Sequence, residues 1–170
     1  LSSTSEGDLS DPVNAFIDRL DNPLFVVTMR SRSGERSGCL AGFVTQCSMV
    51  PVRFLVCISK VNHSYFVAER TTGLALHILG SDQLDVAKLF GEETGDAIDK
   101  FERCRWEDGE TGSPILKECA AWLEGSILHS FSVGDHHAFE VRPVAVGFGT
   151  HYGLLTTRAI PPMEPGHPAG

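Results

Sequence analysis

From residue 24 onward, short apolar runs alternate with polar, glycine-bearing breaks, and the runs carry the β-branched and aromatic residues typical of strands. Residues 24–30, 38–48 and 53–59 read as strands. The first two are separated by Ser31-Arg32-Ser33-Gly34-Glu35-Arg36, a polar segment of hairpin type. Residues 74–79 are apolar on both faces, which suits a buried central strand. Two long strand candidates, 120–130 and 136–147, meet at a turn over Val133-Gly134-Asp135, and 153–158 reads as a last short strand.

Helical spacing interrupts this pattern three times. Asp11-Pro12 offers a cap acceptor and a proline for the first helical position. Val13, Phe16, Ile17 and Leu20 follow as a narrow stripe for docking on a sheet, and Pro23 ends the helix. Asn62 caps a helix reaching about residue 70, stopped by Gly73. Ser81 is expected to cap a third helix, with Asp82 and Asp85 in its first turn and Gly91 after its end. Residues 92–112 are charged and glycine-bearing, an excursion from the core.

Strands dominate, helices are inserted between them, and hairpins recur at both ends. The pattern favours a mainly β architecture, an antiparallel barrel with helical insertions, over a parallel α/β sheet. One domain is expected over 11–158, after a flexible segment at 1–10 and before a Pro-rich, extended tail at 159–170. Neither an internal repeat nor a second hydrophobic core is expected.

Composition narrows the partners. A net charge of −8 on 170 residues argues against a general binder of nucleic acid or anionic membrane, both of which need a basic field. Five cysteines form no CxxC pair, and Cys39, Cys47 and Cys57 sit in apolar strands, so reduced, buried thiols are expected. With no long apolar run and no leader pattern, the expected compartment is the cytoplasm.

The stretch with most chemical content runs from 38 to 64. Ala41 and Gly42 leave little side-chain bulk, so a flat ring could approach the backbone. Thr45, Gln46 and Ser48 are neutral hydrogen-bonding groups. Lys60 is the one cation among Ser59, Asn62 and Ser64 at a helix start, a corner suited to a phosphate. The same stretch also reads as a bulged strand followed by ordinary helix caps, and composition leaves both readings open. A metal reading of His129, His136 and His137 with Asp135 meets an obstacle, because adjacent strand residues point to opposite faces. No G-x-S-x-G supports a serine triad, and no Rossmann fingerprint is present.

Segment 38–48, with Val50-Pro51, the apolar strand after it and Ser59-Lys60-Val61-Asn62-His63-Ser64, resembles the signature of the flavin reductase-like family. Ala87-Lys88-Leu89-Phe90-Gly91, Asp99-Lys100-Phe101, Trp106, Gly112, Pro114-Ile115-Leu116, Ala121-Trp122-Leu123-Glu124 and Gly134-Asp135-His136 with Phe139 follow in that family's order. The chain departs from the pattern at Leu40 and Gly42, where hydroxyls are usual, at Val50 in place of a first proline, and at Val141-Arg142-Pro143.

The resemblance implies an FMN-binding split β-barrel working as a homodimer. It implies FMN or FAD as cofactor, NADH or NADPH as co-substrate, and hydride transfer between them, with a flavin-dependent monooxygenase as a possible recipient of reduced flavin. The alternatives it leaves are a flavoprotein that retains FMN or a deazaflavin, and a non-catalytic flavin-binding module. By the same resemblance Leu40, Ala41, Gly42, Phe43 and Thr45 line the ring and Gln46 lies beside it. Ser59, Lys60, Asn62 and Ser64 form the phosphate corner, Phe101 is a wall residue, and His136 approaches the nicotinamide or the ring face.

Overall fold

The computed structural model describes residues 10–93 and 97–164. The expected flexible start, apart from Ser10, and tail residues 165–170 lie outside the described residues. Seven strands, β1 (Phe25–Arg30), β2 (Arg36–Ala41), β3 (Val44–Met49), β4 (Val52–Ser59), β5 (Gly73–Ile78), β8 (Ala121–Val133) and β9 (His136–Phe148), form one antiparallel sheet. Its order is β2-β1-β5-β8-β9-β4-β3. Two short strands, β6 (Trp106–Asp108) and β7 (Pro114–Leu116), make a separate ribbon. The helices are α1 (Ser10–Ile17), α2 (His63–Ala68) and α3 (Leu84–Gly91), with a 3-10 turn at Lys100–Arg103.

The long β8–β9 hairpin sets the curvature. Strand β5 pairs with residues 121–126 of β8, whereas β4 pairs with residues 136–141 of β9, at the opposite end of the ribbon. That offset is the stagger a sheet needs in order to coil into a barrel. It brings the two edge strands together, and the chain itself passes from one to the other through Gly42-Phe43, where the Cys57 N–H donates to the Phe43 carbonyl at 2.9 Å.

The sequence pattern predicts one strand over 38–48. Instead β2 pairs with β1, β3 pairs with β4, and the change of partner falls at Gly42-Phe43. Strand propensity continues through such a crossing because an alternating pattern reports which face is buried and not which strand is the neighbour.

Two apolar clusters flank the sheet where one core was expected. Val27, Met29, Cys39, Val56, Leu74, Leu76, Phe139 and Val141 fill the barrel, and Val67 and Ala68 of α2 pack into it. On the opposite face Val26 and Leu79 meet Ala87 and Phe90 of α3, with Phe101 and Leu116. Alternate residues of β1 therefore serve both cores. On this outer face His77 is wholly buried: the Leu116 N–H donates to its Nε2 at 3.0 Å, which leaves Nδ1–H to donate to the Val26 carbonyl, also at 3.0 Å. Burial pushes its pKa down to about 4.

Three local expectations change. Helix α1 forms, but its stripe of Val13, Phe16, Ile17 and Leu20 stays exposed and does not dock on the sheet of its own chain. The cap of α3 is Gln83 and not Ser81. The Gln83 side chain accepts from the Gly80 N–H and donates to the Glu118 carbonyl, both at 2.8 Å. Residues 153–158 form no strand, only a single bridge between Thr156 and Pro23. Among the thiols, Cys39 and Cys119 are buried as expected, but Cys47 is exposed beside the bulge in β3. No helix among the described residues is long and apolar enough to cross a membrane.

Candidate functional site

A cleft of about 350 Å³ opens where the ends of β2 and β4, the start of α2 and the β8–β9 turn converge. The end of β2 and the crossover supply Cys39, Leu40, Ala41, Gly42 and Phe43. Strand β4 supplies Cys57, Ile58 and Ser59, and Asn62, Asp135 and His136 complete the wall. Small residues hold the floor flat. A side chain added at Gly42 would point toward Leu24 and Thr157 at ordinary distances, so at this position the cleft meets backbone.

Local chemistry fixes the rim. The Asn62 side-chain Oδ1 accepts from the Ser64 N–H at 2.9 Å, capping α2 as its sequence predicts. Gly134, at φ +57, permits the tight turn into β9. Beyond it, His136 Nδ1 lies 2.7 Å from Asp135 Oδ1, and the His136 ring centroid is 5.2 Å from that of Phe43. The hydrogen bond to His136 is the main cause that holds the Asp135 carboxyl below its ordinary value, with Lys60 adding to it. Burial pushes the Cys39 and Cys57 thiols up, so neither is poised as a thiolate.

Leu40, Ala41, Gly42, Phe43, Ser59, Asn62 and His136 are thus brought together, while other candidates are not. Thr45 lines a hollow of about 200 Å³ that adjoins the cleft through Gly42, Phe43 and Cys57. The Gln46 amide donates to the Ser48 carbonyl at 3.1 Å on exposed β3. Ser64 turns its hydroxyl inward to Ser37, 2.9 Å away. The Lys60 ammonium, outside the cleft wall, donates to Ser132 Oγ and to the Gly134 carbonyl. Phe101 packs edge-on between Phe90 and Trp106 in the outer cluster. Cys57 and Asp135 line the cleft without having been singled out. Asp135 stood in the Gly134-Asp135-His136 element, whereas nothing in an apolar strand marks which thiol meets a cavity. His136 and His137 diverge as strand geometry requires, the His137 ring meeting those of Tyr65 and Phe139 at tilted angles.

A sequence profile described as the flavin reductase like domain matches residues 17–159. The chain belongs to the flavin reductase-like family. The FMN reductase (NADH) RutF of Stutzerimonas stutzeri is 30% identical over 128 residues, covering 75% of this chain and 72% of that protein. The crystal structure of a flavin reductase domain protein from Arthrobacter sp. FB24 superposes with a TM-score of 0.78 at 24% identity, covering 94% of this chain and 96% of the other. An FMN-binding protein from Thermus thermophilus, solved with p-hydroxybenzaldehyde, gives a TM-score of 0.75 at 26% identity, over 87% of this chain and 81% of the other. Other relatives are longer: the chain spans 35% of one flavin reductase relative from Rhizobium meliloti and 47% of the stachydrine N-demethylase reductase subunit Stc3 of the same organism. These likenesses establish the antiparallel split barrel of flavin reductases as the fold.

Proposed function

We propose that the chain is an NAD(P)H-dependent flavin reductase, with the flavin ring seated in the cleft between the end of β2 and the β8–β9 turn. One observation carries this reading: in a member of this family, the strand end that resembles the ring-binding segment and the histidine of Gly134-Asp135-His136 line the same cleft. The wall suits a tricyclic ring, being small-residue backbone at Ala41-Gly42 with the exposed Phe43 ring beside it. A bound FMN or FAD supplies the two-electron acceptor for hydride delivered by NADH or NADPH.

The protein groups have positioning roles. Phe43 and His136 flank the mouth and restrict the approach of a nicotinamide. Asp135 anchors His136 through Nδ1, leaving Nε2 as the ring nitrogen available toward the cleft. Ser59 and Asn62 offer neutral hydrogen-bonding groups, and Lys60 provides positive charge one residue from the wall. Domain limits of 11–158, a homodimer, a cytoplasmic setting and delivery of reduced flavin to a monooxygenase component all belong to this proposal. Relatives described as nitrilotriacetate monooxygenase component B and as the flavin reductase component of a tryptophan halogenase support such delivery.

The test is oxidation of NADH and of NADPH by purified protein with and without added FMN or FAD. Oxidation that depends on added flavin supports a reductase that releases its product. A yellow protein turning over without added flavin supports retained cofactor, and no oxidation with any flavin overturns the reading.

A further inference from the structure

The ring cleft has a neighbour. A hollow of about 200 Å³, walled by Asn22, Val44, Thr45 and Leu55, meets it at Gly42, Phe43 and Cys57. Gly42 has no side chain and Cys57 a short one, so the Phe43 ring is the bulk that stands between the two spaces.

Phe43 is held by its backbone and not by its ring. Its carbonyl accepts from the Cys57 N–H at 2.9 Å. The chain is tied on either side, Ala41 pairing with Phe25 and Val44 with Val56. The ring belongs to neither apolar cluster and is 60% exposed. Its one ring contact among the described residues is with His136, tilted at 57° with centroids 5.2 Å apart. That contact lies on the cleft side, since His136 lines the cleft and not the hollow.

A ring so placed has two positions open to it. Exposed side chains change rotamer within nanoseconds, and rotation about the Phe43 side-chain bonds leaves the backbone hydrogen bond intact. The hollow is large enough to receive the ring, because a cavity of about 150 Å³ lined by apolar groups already takes up benzene. Val44 and Leu55 supply its apolar contact. On the cleft side, the ring fills the space beside His136 through which a nicotinamide reaches the flavin.

We propose that Phe43 governs nicotinamide access: its ring stands against His136 at the mouth of the ring cleft and withdraws into the hollow between Val44 and Leu55 when the nicotinamide enters. The inference rests on the flavin reductase reading and adds to it a competitor built into the chain. A pyridine nucleotide binds only the fraction of molecules whose ring is withdrawn, and its apparent affinity is reduced by that fraction.

The KM for NADH and for NADPH at saturating flavin tests it in the wild type, Phe43→Ala, Thr45→Phe and the double variant. Phe43→Ala removes the competitor and should lower the KM of the nucleotide used at least about threefold. Thr45→Phe puts a second ring into the hollow from exposed β3, closes the retreat, and should raise that KM at least about threefold. With Phe43 already Ala, the change at Thr45 should alter KM less than about twofold, the non-additivity expected of two residues that share one space. General damage to the barrel does not produce that pattern. If Thr45→Phe does not fold, Leu55→Phe enters the same hollow from β4 and takes its place in the cycle. An unchanged or raised KM in Phe43→Ala, or an equal rise from the hollow-filling variant with and without Phe43, overturns the inference and leaves the flavin reading standing. A wild-type protein that oxidises neither nucleotide with FMN or FAD sinks the flavin reading and this inference with it.

Discussion

The Lys60 ammonium lies 2.6 Å from the Ser132 hydroxyl, across the base of the β8–β9 turn. Its second partner, the Gly134 carbonyl, is also neutral, so its charge acts on a carboxylate only at longer range, on Asp135, and it stands next to Ser59 and near Asn62 in the chain. Lys60→Ala should weaken FMN binding by about 1.5–3 kcal/mol, the worth of a charged hydrogen bond, and leave riboflavin nearly unchanged. Affinities of both ligands at one fixed salt concentration give the answer. Equal losses would mean that Lys60 only braces the turn.

His77 makes stability depend on pH. Its native pKa of about 4 is depressed below the ordinary value of 6.5, so the unfolded chain takes up the proton first as pH falls. The stability it contributes is complete above about 6.5 and declines between 6.5 and 4, by an amount on the order of 3 kcal/mol. The lowered carboxyls of Asp21 and Asp135 act at more acidic pH, below their ordinary 3.8. Urea midpoints across that range should show the slope in the wild-type protein and a flatter profile in His77→Gln, which will also be less stable at neutral pH. Parallel profiles would remove His77 as the cause.

Glu124 is wholly buried, and its carboxylate accepts from the N–H groups of Glu110 and Thr111, both at 2.7 Å, and from the Thr111 hydroxyl. It therefore holds the β6–β7 turn onto the barrel, with Gly109 too close to it to carry a side chain. Glu124→Ala leaves two backbone donors without their acceptor and should cost on the order of 3 kcal/mol. The folded fraction should keep its FMN affinity. A urea midpoint equal to that of the wild type would contradict this role.

Much of this was legible in the chain, for identifiable reasons. The apolar run 74–79 appears as β5 near the middle of the sheet, and Val133-Gly134-Asp135 appears as the tight turn of the long hairpin. Asn62 caps α2 as its residue type requires. Local signals of this kind depend on neighbours in sequence. The crossover at Gly42-Phe43, the inward turn of Ser64 toward Ser37, and the attachment of Lys60 to Ser132 depend on residues distant in the chain, which no spacing encodes. Buried Glu124 and Lys100 were visible only as letters in family-like motifs, because a charged residue signals burial only once its partners are known.

The exposed apolar residues bear on assembly. Phe148 is 84% exposed at the end of β9, with Val146 and the α1 stripe of Val13, Phe16 and Ile17 also uncovered. Exposed apolar surface of this extent is expected to be covered by a second copy. Light scattering should give a dimer mass for the wild-type protein and a shift toward monomer for Phe148→Glu. A monomer mass for the wild type at all dilutions would refute the homodimer.

The central claim is that the cleft between β2 and the β8–β9 turn holds a flavin within reach of a nicotinamide. Anaerobic rapid mixing of the protein and oxidised FMN with NADH or NADPH tests it most directly, using the decay of the flavin's visible absorbance. Fast bleaching is expected with at least one of the two nucleotides, and strong slowing in the fraction of Ala41→Trp that folds, a substitution that also crowds the barrel core in which Ala41 packs and so lowers the thermal midpoint. Bleaching at the same rate in folded Ala41→Trp, or none in the wild-type protein with either nucleotide, would contradict it.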